Sequence, residues 1–179
     1  RILDEVLNAE LDRIRRALPH VHLQQELTRD DLEQLKVDFD MIVVAVGAQK
    51  PRTLPVPGAE RLIPALEFLQ KAKRDAVTVG RTVVIIGAGN VGCDAATEAY
   101  RLGAEKVTLI DIQEPASFGK ERQAAQAAGA EFRWPCFTKA VTAEGVELTT
   151  GEMLPADTVI VAIGDQPDLS FLPDTVQTE

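Results

Sequence analysis

At 179 residues, 45% of them hydrophobic and 26% charged, the chain can bury one core of ordinary domain size and little more. A formal net charge of -9 with dispersed basic residues argues against a nucleic-acid partner, because such a site needs concentrated positive charge. The longest apolar runs, Met41 to Val46 and Val83 to Ile86, fall far short of the roughly 20 residues of a membrane-spanning helix, which argues against a membrane partner.

Leu3, Leu7, Leu11 and Ile14 recur at helical spacing until Pro19, which predicts a surface helix with one buried stripe. A short strand is expected over Val21 to Leu27. Asp30, Asp31 and Glu33 around Leu32 and Leu35 predict a helix of one or two turns. Phe39 to Val46 is a nearly continuous β-branched run, the pattern of a strand buried on both faces of a parallel sheet. The segment QKPRTLPVPG, from Gln49 to Gly58, holds three prolines and no period, so it marks an extended connection and a domain boundary. Ile63, Leu66, Phe68, Leu69 and Ala72 predict a helix running to Lys73. Then follow a strand Thr82 to Ile86, a helix Asn90 to Leu102, a strand Val107 to Ile110, a helix Lys120 to Ala128 and a strand Glu131 to Trp134. That order is βαβαβ. A hairpin about Glu144-Gly145 is expected between Ala140 and Leu148, and Thr158 to Ile163 reads as a returning buried strand.

The chemistry concentrates at Gly87-Ala88-Gly89-Asn90-Val91-Gly92, a G-x-G-x-x-G that follows a strand and opens a helix. In that context Gly87 permits the tight turn, Gly89 lets the backbone approach a pyrophosphate, and Gly92 lets the helix pack close to the strand. The helix start, at Asn90 and Val91, offers free N–H groups and the positive end of the macrodipole to an anion. Asp111 closes the second strand 19 residues after Gly92, near the spacing at which a carboxylate accepts from the adenosine ribose of NAD(H). NADP(H) stays open through Lys120 or Arg122. Ile163 and Gly164, past the returning strand, are expected beside the cofactor, although Gly164 reads equally well as a turn glycine. The predicted fold is α/β: a Rossmann-like, three-layer nucleotide-binding domain with a parallel sheet and a small β-hairpin or meander.

Asp94 reads as a structural carboxylate in the first turn of the glycine-loop helix. Cys93 and Cys136, far apart and in no CxxC pair, read as packed thiols and point to the cytoplasm. His20 and His22 lack a third ligand, so no metal site is expected. No catalytic residue is assigned: Tyr100, the one tyrosine, falls within the helix, and no Tyr-x-x-x-Lys pair exists.

The stretch GAGNVGCDAATEAYRLGAEKVTLI resembles the nicotinamide-binding segment of the glutamate synthase small subunit and its relatives among pyridine nucleotide-disulfide oxidoreductase-like flavoproteins. Phe39-Asp40 with MIVVAVGAQKPRTLPVPGAE is similar to the segment by which those proteins leave the FAD domain. LPADTVIVAIGDQPDLSFLP is similar to the one that returns. The resemblance implies residues 1–50 as the remnant of an FAD-type domain, 51–79 as linker and helix, 80–166 as the NAD(P)-binding domain and 167–179 as the return segment. It also implies hydride transfer from the nicotinamide to an FAD of the full-length protein, and electrons passed onward to iron-sulfur clusters or a large-subunit partner. The FAD fingerprint is expected upstream of Arg1, so the sequence reads as a piece of a longer chain. The arginines that many of these relatives carry after the second strand are replaced by Ile112 and Gln113. A self-contained NAD-dependent dehydrogenase and a non-catalytic nucleotide-sensing module are the alternative readings.

Overall fold

The computed structural model describes residues 2–18, 20–48 and 50–173. Pro19, Gln49 and the tail of the return segment, 174–179, lie outside the described residues. By contact the chain divides into two compact units, Arg1–Ala45 with Leu169–Glu179, and Val46–Asp168.

In the first unit, helix α1 (Asp4–Ala17) has Asp4 and Glu5 in its first turn and Arg15 and Arg16 in its last, charges that complement its dipole. Its apolar stripe is not buried as expected: Leu3, Leu7, Leu11 and Ile14 are all exposed. A stripe is buried only when another element covers it, and the described residues of this unit supply no sheet. Helix α2 (Arg29–Asp38) is longer than the expected one or two turns. A capping box fixes its start: Thr28 Oγ1 accepts from the Asp31 N–H at 3.2 Å, and Asp31 Oδ2 accepts from the Thr28 N–H at 2.8 Å. Leu32 is its buried anchor, and Arg29 Nη2 donates to the Leu172 carbonyl at 2.9 Å. The strands expected over Val21 to Leu27 and Phe39 to Val46 do not form. Val43 is 78% exposed. A β-branched run becomes a strand only when a neighbour completes its ladder, and none lies beside it among the described residues.

The second unit holds, in order, β1 (Lys50–Pro51), a short 3-10 turn (Ala59–Arg61), β2 (Ile63–Pro64), α3 (Ala65–Lys73), β3 (Thr82–Ile86), α4 (Asn90–Arg101), β4 (Lys106–Ile110), α5 (Gly119–Ala127), β5 (Glu131–Arg133), β6 (Thr138–Thr142), β7 (Gly145–Leu148), β8 (Met153–Pro155), β9 (Thr158–Val161) and β10 (Asp165–Gln166). Five strands form a parallel sheet in the order β2-β9-β3-β4-β5. The alternation of side chains splits the apolar strands between two cores. Val83, Ile85, Val107, Leu109 and Ile160 face the helices, against Phe68, Cys93, Ala95, Ala96, Ala99 and Ala125. Val84, Ile86, Ile110 and Val159 face the antiparallel β6-β7-β8 meander, against Val141, Val146, Leu148 and Leu154. The result is three layers, as the sequence predicts.

The alanines of α4 let it lie close to the sheet. Its last turn also fixes α3: Arg101 Nη2 donates to the Ala72 carbonyl at 2.6 Å and Nη1 to Asp75 at 2.9 Å. The edge strand β2 and the third meander strand β8 were not expected from the sequence, since two or three residues carry no readable period. The small antiparallel β1-β10 ribbon joins the entering and leaving segments of this unit.

Candidate functional site

β3 runs directly into Gly87-Ala88-Gly89, and α4 starts at Asn90. The three motif glycines differ in what the fold demands of them. Gly87 sits at φ +103°, and a Cβ there would collide with the Ala162 carbonyl. A Cβ on Gly92 would strike the carbonyl oxygen of Gly87, so this glycine sets how closely the helix approaches the turn. Gly89 is different. Its backbone, φ -72° and ψ -176°, suits any residue, and an added Cβ would meet nothing within 4 Å. Neither conformation nor internal packing demands glycine there; the space above it is open to something outside the fold.

No side chain caps α4, and its first turn holds no acidic residue. The first N–H groups of α4, which a helix leaves without intrahelical partners, are thus not capped by a side chain beside Gly89. Asp94, expected in that first turn, lies in the second. It is exposed there, and desolvation followed by the nearby Glu121 carboxylate raises its pKa.

A cleft of about 570 Å³ opens at the carboxyl ends of β3, β4 and β9. Of the eight residues singled out from the sequence, Gly87, Gly89, Asp111 and Ile163 line it. Gly92 is buried beneath the turn. Val91 is exposed on the first turn of α4, and Asn90 directs Oδ1 to the Phe118 N–H at 2.9 Å. Gly164 is placed apart from the cleft lining: at φ +95° its carbonyl accepts from the Arg52 N–H at 3.1 Å, next to the β1-β10 ribbon. Leu54, Cys136, Phe137, Thr138 and Ala162 also line the cleft and were not assigned to it from the sequence. The rule that ligands lie beyond the carboxyl ends of parallel strands was signal enough for Cys136 to Thr138, which follow β5.

Asp111 is half-buried at the end of β4. Its Oδ2 accepts from the Ala88 N–H at 2.9 Å and its Oδ1 from the Ile112 N–H at 2.8 Å. Of the two cations considered for a ribose phosphate, Arg122 is committed elsewhere. It donates to the Pro115 and Ser117 carbonyls at 3.3 and 3.2 Å and lies 5.5 Å from the Phe132 ring centroid. Lys120 is almost fully exposed, with Glu121 4.0 Å away.

Cys93 and Cys136 are free and buried, and burial pushes both thiols up, away from nucleophilic thiolate. Tyr100 accepts from the Val107 N–H at 3.3 Å between α4 and β4, a packing role rather than a proton-transfer one. No helix among the described residues is long and apolar enough to cross a membrane.

The chain is 31% identical over 180 residues to the beta subunit of an NADPH-Fe(3+) oxidoreductase from Geobacter sulfurreducens, a match covering 81% of this chain and 27% of that protein. It is 31% identical over 183 residues to the PreT subunit of the NAD-dependent dihydropyrimidine dehydrogenase from Escherichia coli K12, covering 94% and 44%. It thus spans less than half the length of these relatives. Among solved structures, a 2-naphthoyl-CoA reductase complex superposes with a TM-score of 0.70 at 20% identity, covering 92% of this chain and 25% of that one. The profile of the pyridine nucleotide-disulphide oxidoreductase family matches residues 5–179. With its glycine turn, uncapped helix and cleft at the strand ends, the chain belongs to the pyridine nucleotide-disulphide oxidoreductase family.

Proposed function

We propose that the Val46–Asp168 unit binds a nicotinamide dinucleotide whose pyrophosphate lies over Gly89 and the N-terminus of α4. The observation that carries this reading is the open space over Gly89, at a position where the fold itself has no use for glycine. Gly87 and Gly92 shape the turn, Asn90 and Val91 contribute backbone donors, and Ile163 borders the cleft from the β9 side. Gly164 is assigned to the backbone of the adjoining ribbon.

The coenzyme is proposed to be NAD(H), with NADP(H) as the alternative. Asp111 favours a ribose 2'-hydroxyl by about 1.5–3 kcal/mol for a charged hydrogen bond. It opposes a 2'-phosphate by about 4 kcal/mol per unit charge at 4 Å and an effective dielectric near 20, before salt screening. The named relatives include both an NADPH and an NAD enzyme, so the preference rests on this chain's own residues: Asp111, with Ile112 and Gln113 where many relatives carry arginines. Lys120 is the cation within the adjoining helix that an NADP(H) reading would use.

In the full-length protein, the bound nicotinamide is proposed to give hydride to FAD, with electrons passing onward to iron-sulfur clusters or a partner subunit. The remainder of the FAD domain would be supplied by sequence outside this chain. Relatives named as subunits of larger oxidoreductases support that assignment. The closer likeness to the glutamate synthase small subunit and the cytoplasmic location are part of the same proposal. Calorimetry, or quenching of Trp134, tests the reading: NADH is expected to bind more tightly than NADPH, with the gap narrowed by Asp111→Ala. Tighter NADPH binding would reverse the coenzyme assignment, and binding of neither would overturn the function.

A further inference from the structure

The Asp111 carboxylate has a second task that a ribose contact does not describe. Ala88, between the first two glycines of the turn, is fully buried, and its N–H is satisfied by Asp111 Oδ2 at 2.9 Å. The backbone on either side is tied by other bonds. The Gly87 N–H donates to the Ile110 carbonyl at 2.8 Å, and the Cys93 N–H donates to the Gly89 carbonyl at 3.0 Å. Ala88 is thus the point at which the turn is held by a side chain rather than by backbone. Asp111 is itself held in place, since its N–H donates to the Arg133 carbonyl at 3.1 Å and its carbonyl accepts from the Cys136 N–H at 2.7 Å.

We infer that Asp111 is a positioning residue for the pyrophosphate turn, fastening Ala88 so that the turn holds its shape whichever dinucleotide is bound. The inference rests on the proposed dinucleotide site and deepens it. A buried N–H without an acceptor is strongly disfavoured, so loss of the carboxylate forces the turn to move toward water or another acceptor. That movement displaces Gly89 and the donors that follow it. The two roles of Asp111 differ in what they predict for NADPH, whose adenosine 2'-hydroxyl is replaced by a phosphate. If the carboxylate acted only at the ribose, its removal would abolish a repulsion and NADPH would bind more tightly. If it also fastens the turn, that gain is smaller when the acceptor goes with the charge, as in Asp111→Ala, than when an acceptor stays, as in Asp111→Asn.

The experiment is calorimetric titration of wild-type chain, Asp111→Ala and Asp111→Asn with NADH and NADPH, alongside amide exchange at Ala88 in the free proteins. NADPH is expected to bind Asp111→Ala about tenfold more weakly than Asp111→Asn, the scale of one hydrogen bond. NADH should weaken in both variants, because each loses the charged contact to the ribose. Asp111→Asn keeps one acceptor for Ala88 and should show a smaller loss. The Ala88 amide should be protected in the wild-type protein and exchange at least tenfold faster in Asp111→Ala. NADPH that binds Asp111→Ala and Asp111→Asn equally well overturns the inference while leaving the binding site intact. An unprotected Ala88 amide in the wild-type protein overturns it whether or not a variant folds. A wild-type chain that binds neither coenzyme instead removes the function on which the inference rests.

Discussion

Replacing Gly89 with valine separates the demands of the ligand from those of the fold. At φ -72° and ψ -176° a β-branched residue meets no backbone strain, and a Cβ built there has no protein atom within 4 Å. The protein's own loss is confined to the helix start, where valine is a poorer N-cap residue than glycine by about 1 kcal/mol. The ligand's loss is larger. An isopropyl group over the turn would stand where the proposed pyrophosphate approaches the N–H groups of Asn90 and Val91. At about 1.5–3 kcal/mol for each hydrogen bond to a charged acceptor, loss of two amounts to about 3–6 kcal/mol. With about 1.4 kcal/mol per tenfold, dinucleotide affinity should fall roughly a hundredfold or more, while the circular dichroism spectrum stays native and Tm falls by a few degrees. Titration by calorimetry and a thermal melt on the same sample make the comparison. Wild-type affinity in a folded Gly89→Val protein would refute the reasoning, because it would mean that the open space over Gly89 does not face the coenzyme.

Gly92→Ala should behave in the opposite way, since its Cβ would strike the Gly87 carbonyl oxygen and touch Leu109 Cδ2 at 3.5 Å. Overpacking of this kind costs about 1–3 kcal/mol, so Tm should drop clearly in a melt even without ligand; an unchanged Tm would show that the turn has room to yield. The Arg133–Glu152 pair, with Nη1–Oε1 at 2.9 Å and Nη2–Oε2 at 2.8 Å, depresses the Glu152 carboxyl below its ordinary value of 4.5, chiefly through those hydrogen bonds. A depressed carboxyl contributes stability that is present above its unfolded pKa and lost as pH falls through the folded one. The stability difference between wild type and Glu152→Gln, measured by denaturant melts, should therefore be present at neutral pH and vanish in acid below the usual carboxylate range. A difference that persists unchanged in acid would show that the pair does not carry it.

The parts of this fold that were legible in the sequence are those whose determinants sit close together along the chain. Thr82 to Ile86 carries a buried apolar run, the glycine turn follows at once, and Ala95, Ala96 and Ala99 declare the face on which α4 packs. Each signal needs only its neighbours. The run from Phe39 to Val46 has equally strong β character and forms no strand, because a ladder needs a partner that local composition cannot supply. The exposed stripe of α1 fails for the same reason. β propensity and amphipathicity state what a segment is able to bury, and only the topology decides whether anything is there to bury it against.

The candidate site divides along the same line. Gly87, Gly89 and Gly92 are a sequence motif, and Asp111 was found by its distance from them along the chain, a spacing fixed by one helix and one strand. The opposite wall of the cleft has no such spacing: Leu54 comes from the connection before β2, Cys136 to Thr138 follow β5, and Ala162 and Ile163 follow β9. These segments meet only because β9 inserts between β2 and β3 while β4 and β5 extend the sheet on the other side. The hydrogen bond from Ala88 to Asp111 belongs to both categories at once. Ala88 lies within the glycine motif and Asp111 at a fixed spacing from it, yet the bond between them exists only because β3 and β4 lie side by side in parallel, with Ile86 opposite Ile110. The register that places the carboxylate at the mouth of the cleft also places it beside the turn. On the proposed assignment a single residue joins recognition of the ribose to the shape of the phosphate loop, and a substitution at Asp111 should never change coenzyme preference without also changing affinity for both coenzymes.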